Sequence, residues 1–291
     1  MLGLDPDPAA LLPEAIDAGT AAHASEGTDP AEPAARAIAV HCRALIAASG
    51  PACVAIKPQL ACFERLGAPG RRALGEVCEA AAAAGLLVLA DGKRGDVPHT
   101  ATAYAQSLFG VTPTPWGDAE GLGADAVTLN PLLGRDALEP FLVAARGCGG
   151  GCFLLVRTSN PGAAELQDRG DGAACPPLHE RLAALVDELG AGCVGECGLS
   201  DVGAVVAATE PALLARLREL MPRAIFLLPG IGAQGGEIEA VGAAFGPGRA
   251  AALVTASRSI AGPALEAGSA DAAREAAERL RESAWVLAGG A

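Results

Sequence analysis

Two carboxylates and an ammonium group lie close together in residues 89–100. An apolar run over 86–89 leads into Asp91, Lys93 and Asp96. Residues two apart on a strand point the same way, so the sequence predicts that Asp91 and Lys93 lie side by side at the end of a buried strand. A surface ion-pair cluster is the alternative. Charge at the end of an apolar strand is costly, so we favour a catalytic site.

Lysine is rare in this chain, and its two positions are therefore informative. Of 21 basic residues, only Lys57 and Lys93 are Lys. An ammonium group can transfer a proton, whereas a guanidinium group stays protonated in proteins. This usage predicts that Lys93 acts as a proton donor or forms a Schiff base.

Composition excludes several classes of protein. The chain has 291 residues, is 51% hydrophobic and carries a net charge of −13. We expect a soluble, cytoplasmic protein, because no apolar run is long enough to span a membrane and no signal-peptide pattern follows Met1. The negative charge argues against nucleic-acid and anionic-membrane partners. A bound phosphate would therefore need a local site.

Nine cysteines are distributed along the chain without a Cys-x-x-Cys pair. The pairs Cys148/Cys152 and Cys193/Cys197 have spacings that could suit a metal, but no histidine lies beside either pair. We therefore expect buried, reduced thiols and no metal site.

Apolar, strand-like runs alternate with helical stretches along the whole sequence. The predicted strands are 1–4, 53–56, 86–90, 124–129, 152–156, 202–208, 225–228 and 251–255. The predicted helices are 34–49, 71–84, 98–108, 136–145, 178–189, 211–221, 237–245 and 271–287. This α/β alternation predicts a (β/α)8 TIM barrel forming a single domain over residues 1–291, with a doubly wound open sheet as the alternative. Three segments, 19–33, 111–121 and 161–177, are predicted to be surface loops.

Polar residues follow most of the predicted strands. They are Asp5, Lys57, Asp91 with Lys93, Asn130, Thr158 with Ser159, Pro229–Gly230, and Ser257–Arg258. Active sites of such barrels lie at the carboxyl ends of the strands, so these residues should converge on one face.

Two neighbouring signals near the end of the chain predict a phosphate site. The glycine-rich segment 229–236 follows the seventh predicted strand, and Ser257 and Arg258 follow the eighth. Backbone N–H groups of a glycine-rich loop can surround an anion, and Arg can bind it in a bidentate manner.

Taken together, these motifs resemble the orotidine 5′-monophosphate decarboxylase family in its longer bacterial form. The resemblance rests on Asp91-x-Lys93-x-x-Asp96-x-x-x-Thr100 and on segments 55–59, 157–162, 203–209 and 256–260, which occur in the family's order. It implies a cofactor-independent enzyme that converts orotidine 5′-monophosphate to UMP, the last step of de novo pyrimidine biosynthesis.

The resemblance also implies roles for individual residues. Lys93 would protonate C6 as CO2 leaves, and Asp91 would crowd the substrate carboxylate. Asp96 and Thr100 would reach into the neighbouring subunit's site, so the enzyme would be a homodimer with shared active sites. The remaining side chains would bind substrate: Asp5 and Lys57 the ribose, Ser159 and Gln234 the pyrimidine, and Gln234, Ser257 and Arg258 the phosphate end.

Other functions stay open at this point. A Mg²⁺-dependent sugar-phosphate lyase of a sister barrel family would need an acid where Lys57 stands. A phosphate-binding barrel without activity is a second alternative. A Schiff-base aldolase using Lys93 is disfavoured, since flanking carboxylates keep Lys protonated. Only four residues precede Asp5, which suggests a truncated N-terminus.

Overall fold

Eight strands occur where the sequence predicts them, and two more form a hairpin. The computed structural model describes residues 1–26, 29–171, 175–207, 211–230 and 238–290. The strands are β1 Leu2–Leu4, β2 Ala55–Pro58, β3 Leu87–Arg94, β4 Val111–Thr114, β5 Gly117–Glu120, β6 Ala126–Leu129, β7 Gly151–Arg157, β8 Val202–Val206, β9 Phe226–Leu228 and β10 Ala252–Val254.

The helices alternate with these strands. They are α1 Pro13–Glu26, α2 Ala31–Ser49, α3 Leu60–Glu64, α4 Gly67–Ala83, α5 Pro98–Phe109, α6 Arg135–Cys148, α7 Ala163–Leu166, α8 Leu178–Gly190, α9 Pro211–Leu220, α10 Arg258–Ala267 and α11 Asp271–Leu287. The predicted α-helix over 237–245 is instead a 3₁₀ helix at Ile238–Phe245. Within the described residues, no helix is long and apolar enough to cross a membrane.

The chain forms two compact units. Unit 1 comprises Met1–Gly92, Leu122–Ala124 and Ala256–Arg281, and unit 2 comprises Lys93–Gly121, Asp125–Thr255 and Glu282–Ala291. The single domain predicted over 1–291 stays a prediction.

In unit 1, β1 and β3 flank β2, and both pairs are parallel. Gly3 lies opposite Lys57, and Ile56 lies opposite Val88. β1, β2 and residues 88–91 of β3 are buried, and they are mostly apolar, as expected when helices cover a parallel sheet. This register aligns the carboxyl ends of β1, β2 and β3.

The predicted loop at 19–33 is wrong, because α1 extends to Glu26 and α2 begins at Ala31. Gly19 explains the discrepancy. A Cβ atom built on Gly19 would lie 3.0 Å from both the Ala37 Cβ and the Pro33 carbonyl oxygen. This glycine therefore allows α1 to pack closely against α2, and the packing favours a helix that local propensity alone does not indicate.

In unit 2, β6 to β10 pair in parallel in chain order. The register between β7 and β8 shifts between Leu155 and Arg157, which marks a bulge. Bulges redirect the side chains that follow them. The bulge therefore lies immediately before the polar segment that starts at Arg157.

A buried arginine organises the region around β9. The Arg218 guanidinium lies 3.6 Å from the centre of the Phe226 ring, and burial lowers its pKa to about 10. It donates hydrogen bonds to the carbonyl oxygens of Met221, Ala224, Ala244 and Ala251. These bonds connect α9 to the segment that leads into β9, to the 3₁₀ helix at residues 238–245 and to the residue before β10.

Two further expectations need correction. Residues 111–121, predicted to be a loop, form the exposed antiparallel hairpin β4–β5, with Trp116 at its tip. The thiols of Cys42, Cys78 and Cys152 are buried, but four other cysteines are exposed: Cys148, Cys175, Cys193 and Cys197. None of the nine forms a disulfide bond in the structure. A cysteine can therefore be exposed even where its neighbours in sequence are apolar.

Candidate active site

Lys57 and Asp91 form a buried ion pair in unit 1. The Lys57 Nζ atom lies 2.6 Å from Asp91 Oδ2, and the two side chains are 9% and 7% exposed. Gln59 Nε2 donates to the same oxygen over 3.2 Å. Lys57 follows Ile56 on β2, and Gln59, directly after β2, forms a bridge with Asp91 on β3. The parallel register therefore brings together charges that are 34 residues apart in sequence.

Gln59 is a further candidate for the active site, and the sequence analysis assigned it no role. Its spacing of two residues from Lys57 at the end of a strand is the signal that could have identified it.

The end of β1 brings Asp5 close to Ser257 and Arg258. The Gly3 N–H donates to the Ala256 carbonyl over 2.8 Å, which holds β1 against the segment entering α10. Asp5, Ser257 and Arg258 then line one cavity of about 480 Å³. Asp5 and Arg258 are exposed and Ser257 is half-buried, so a solute can reach all three. A carboxylate and a guanidinium group thus face the same space.

The segment after β1 is held by a buried histidine. His41 Nδ1 accepts a hydrogen bond from the Leu12 N–H over 3.3 Å, and burial lowers the pKa of His41 to about 4. On the other side, Arg65 donates to the Pro6 carbonyl over 2.6 Å. These contacts fix the backbone that carries Asp5.

Lys93 adopts an unusual backbone conformation in unit 2. Among the described non-glycine residues, it alone has a positive φ, at 47°. Its N–H donates to Thr128 Oγ1 over 2.9 Å, and Thr128 is buried on β6. A left-handed residue other than Gly costs about 1–2 kcal/mol, and such strain is concentrated at functional sites. The alternation of side chains along a strand predicted that Asp91 and Lys93 lie side by side. A residue in the left-handed region interrupts this alternation, so the side-by-side placement stays a prediction.

Asp96 and Thr100 lie where the chain enters α5. Both side chains are half-buried, and Asp96 Oδ1 accepts a hydrogen bond from the Val97 N–H over 2.8 Å. A Cβ atom on Gly95 would lie 2.8 Å from the Asn130 carbonyl oxygen. Gly95 is therefore required for the close approach that directs the chain from β3 into α5.

Ser159 lies between two residues whose positions are fixed by hydrogen bonds. The Gln167 Oε1 atom accepts from the Thr158 N–H over 2.8 Å, and the Thr158 hydroxyl donates to Asn160 Oδ1 over 2.7 Å. Ser159 itself is half-buried. The segment after β7 is thus ordered next to the predicted pyrimidine-reading residue.

The predicted surface loop over 161–177 needs a correction where the structure describes it. Residues 163–166 form α7, and Asp168, expected in a flexible excursion, binds the buried Arg157 through both carboxylate oxygens, at 2.8 and 2.9 Å. The pairing links positions 11 residues apart, so local composition gave no signal for it.

Several predicted features lie outside the described residues. Gln234 and most of the glycine-rich segment fall within 231–237, and Thr209 falls within 208–210. Within the described part of the chain, no cluster of three or more His, Cys, Asp or Glu side chains could hold a metal ion.

Comparison with known families identifies the family of this chain. The sequence profile described as Orotidine 5′-phosphate decarboxylase / HUMPS family matches residues 21–276. The chain belongs to this family. The resemblance inferred from the motifs is therefore confirmed, and the enzymes of this family named below are carboxy-lyases.

The matches to two curated relatives cover most of the length of each relative. The orotidine 5′-phosphate decarboxylase of Deinococcus radiodurans is 46% identical over 244 residues, which cover 82% of this chain and 81% of the relative. The enzyme of the same name from Roseiflexus castenholzii is 40% identical over 97% of this chain and 90% of its own.

Solved structures of the family agree on the fold. The orotidine 5′-monophosphate decarboxylase of Leishmania donovani matches with a TM-score of 0.70 and 34% identity, over 88% of this chain and 90% of that chain. A Streptomyces avermitilis protein assigned to the same decarboxylase matches with a TM-score of 0.77 and 29% identity, over 99% and 90%. The fold is the (β/α)8 barrel, as predicted.

Proposed function

We propose that this family member decarboxylates orotidine 5′-monophosphate to UMP, the last step of de novo pyrimidine biosynthesis, in the cytoplasm. The observation that carries the proposal is the end of β3, where a buried Asp91 is followed by a left-handed Lys93. The chain's identity of 46% to a relative named for this decarboxylation supports it.

Lys93 is the proton donor in this proposal. The bond between C6 and the carboxylate carbon breaks, CO2 leaves, and the electron pair stays on C6. The Lys93 ammonium group transfers a proton to C6 and is reprotonated from water. Because the ring does not delocalise this pair, a fixed cation next to C6 supplies the stabilisation. The strained backbone at Lys93 is consistent with a side chain held in one orientation.

Asp91 destabilises the bound substrate in this proposal. Its carboxylate would lie against the substrate carboxylate, and the repulsion would be relieved as CO2 departs. The 2.6 Å contact with Lys57 and the hydrogen bond from Gln59 hold the Asp91 side chain in place. Lys57 would contact the ribose hydroxyls as well, together with Asp5.

The phosphate end supplies binding energy remote from the reacting carbon. Arg258 is the first residue of α10 and Ser257 its N-cap, so the amino-terminal end of the helix lies beside the guanidinium group. Gln234 would complete this site and, with Ser159, read the pyrimidine edge.

The active form is proposed to be a homodimer with shared sites. Asp96 and Thr100 lie at the start of α5, where they would reach into the neighbouring subunit's pocket. The proposal needs no cofactor, metal, nucleic acid or membrane.

A Mg²⁺-dependent sugar-phosphate lyase is the alternative, and one assay separates the two. Purified protein with EDTA should remove the absorbance of orotidine 5′-monophosphate at the rate seen without EDTA. A strict requirement for Mg²⁺ would favour the lyase. Tight binding of UMP without turnover would instead indicate an inactive phosphate-binding barrel.

A further inference from the structure

A network of five side chains surrounds the end of β7. We call Arg157, Thr158, Gln167, Asp168 and His179 the β7 clasp. Arg157 and Thr158 end the strand and begin the polar segment, Gln167 and Asp168 follow α7, and His179 lies at the start of α8. All five belong to unit 2.

The ion pair between Arg157 and Asp168 has one defined geometry. The Arg157 Nε and Nη2 atoms donate to the two oxygens of Asp168 over 2.8 and 2.9 Å, and Nη1 donates to the Thr158 carbonyl. The Arg157 side chain is 8% exposed. A guanidinium group that is buried and bound at all three nitrogens allows its carboxylate partner one orientation.

His179 holds the same carboxylate from a second direction. Its Nδ1 atom lies 3.2 Å from Asp168 Oδ1 and 2.8 Å from the Gln167 carbonyl oxygen. The His179 N–H also donates to that carbonyl, over 3.0 Å. The hydrogen bonds from Arg157, followed by the charges of Arg157 and His179, hold the pKa of Asp168 below its usual value. Asp168 thus joins β7 to α8.

Gln167 transmits this arrangement to the polar segment. Its Oε1 atom accepts from the Thr158 N–H over 2.8 Å, and its Nε2 atom donates to the Thr158 hydroxyl over 2.9 Å. The same hydroxyl donates to Asn160 Oδ1. The residues on both sides of Ser159 are therefore fixed by one chain of hydrogen bonds.

We propose that the β7 clasp is a positioning device that sets the affinity of the site for the pyrimidine ring by holding Ser159. This inference rests on the proposed function, in which Ser159 reads that ring. The hydrogen bonds converge on Thr158 and Asn160, the two neighbours of Ser159. A clasp that only held the loop in place would not need its hydrogen bonds at these two positions. Asp168 and Gln167 are positioning residues here, since they act through Ser159.

The test compares a ligand that has a pyrimidine with one that lacks it. Asp168→Asn removes the charge that orients Arg157, and Asp171→Asn removes the same charge from an exposed position on the same segment. We expect Asp168→Asn to weaken UMP binding about tenfold and to leave ribose 5-phosphate binding unchanged, as measured by titration calorimetry. Asp171→Asn should change neither affinity.

A double-mutant cycle tests whether the effect passes through Ser159. If it does, adding Asp168→Asn to Ser159→Ala should weaken UMP binding little further, because the effects of coupled residues do not add. Additive losses, or an equal loss of ribose 5-phosphate affinity, would overturn the inference. Should Asp168→Asn fold poorly, Gln167→Met keeps the ion pair and should give the same selective loss.

The outcomes separate this inference from the proposed function. A wild-type protein that neither binds UMP nor decarboxylates orotidine 5′-monophosphate overturns both. An active wild type whose Asp168→Asn and Gln167→Met variants bind UMP normally overturns the clasp alone.

Discussion

Removing Lys57 should destabilise the protein as well as inactivate it. Lys57→Met keeps an unbranched apolar side chain of similar length but leaves the Asp91 carboxylate, 7% exposed, without its ammonium partner. Taking one partner from a buried ion pair typically costs about 3–5 kcal/mol, because the remaining charge is poorly solvated. With a urea dependence of about 3 kcal/mol per M, the unfolding midpoint should fall by about 1 to 1.7 M.

The exposed ion pair between Arg43 and Glu76 provides a matched control in the same unit. Its atoms are 3.9 Å apart and its side chains 40% and 45% exposed. Arg43→Met should therefore lower stability by less than about 1 kcal/mol. Urea unfolding followed by circular dichroism measures both variants.

Neutralising the Asp91 carboxylate gives a second comparison. Lys57→Met combined with Asp91→Asn should recover part of the lost stability, since an amide is cheaper to bury than a charge. Our reasoning about this pair is wrong if Lys57→Met and Arg43→Met have the same midpoint. Turnover should stay absent in both Lys57 variants, so recovery of stability without activity would separate the two roles of the pair.

Three further predictions concern the proton donor, the subunits and pH. Lys93→Arg should keep the fold but abolish loss of substrate absorbance, since guanidinium does not give up a proton; near-full activity would contradict the proton-donor role. Mixing inactive Lys93→Ala with inactive Asp96→Ala protein should restore about a quarter of the wild-type sites after random subunit exchange, and no recovery after verified exchange would place Asp96 in its own chain's pocket. His41 has a folded-state pKa of about 4, below its unfolded value, so its contribution of about 3 kcal/mol should be present above pH 6.5 and be lost as pH falls towards 4. His41→Asn, which keeps an acceptor for the Leu12 N–H, should flatten that part of the stability profile in urea titrations.

The sequence alone located the strands in their chain order and the residues that follow them. Apolar runs of four to seven residues are a local signal, and they located all eight strands of the predicted alternation. The scarcity of lysine indicated Lys57 and Lys93 as candidate site residues, and the spacing of the motif that begins at Asp91 indicated the family. These features need no knowledge of distant contacts, which explains why they were predictable.

The tertiary structure decided which of these side chains meet. The partner of Lys57 lies 34 residues away, and the register between β2 and β3 is what brings Asp91 within 2.6 Å of it. The left-handed backbone of Lys93 is supported by Thr128, which arrives on another strand. Asp168 was expected in a flexible loop, yet Arg157 binds it through both oxygens. Register and side-chain pairing depend on contacts between distant segments, and a local pattern contains no information about them.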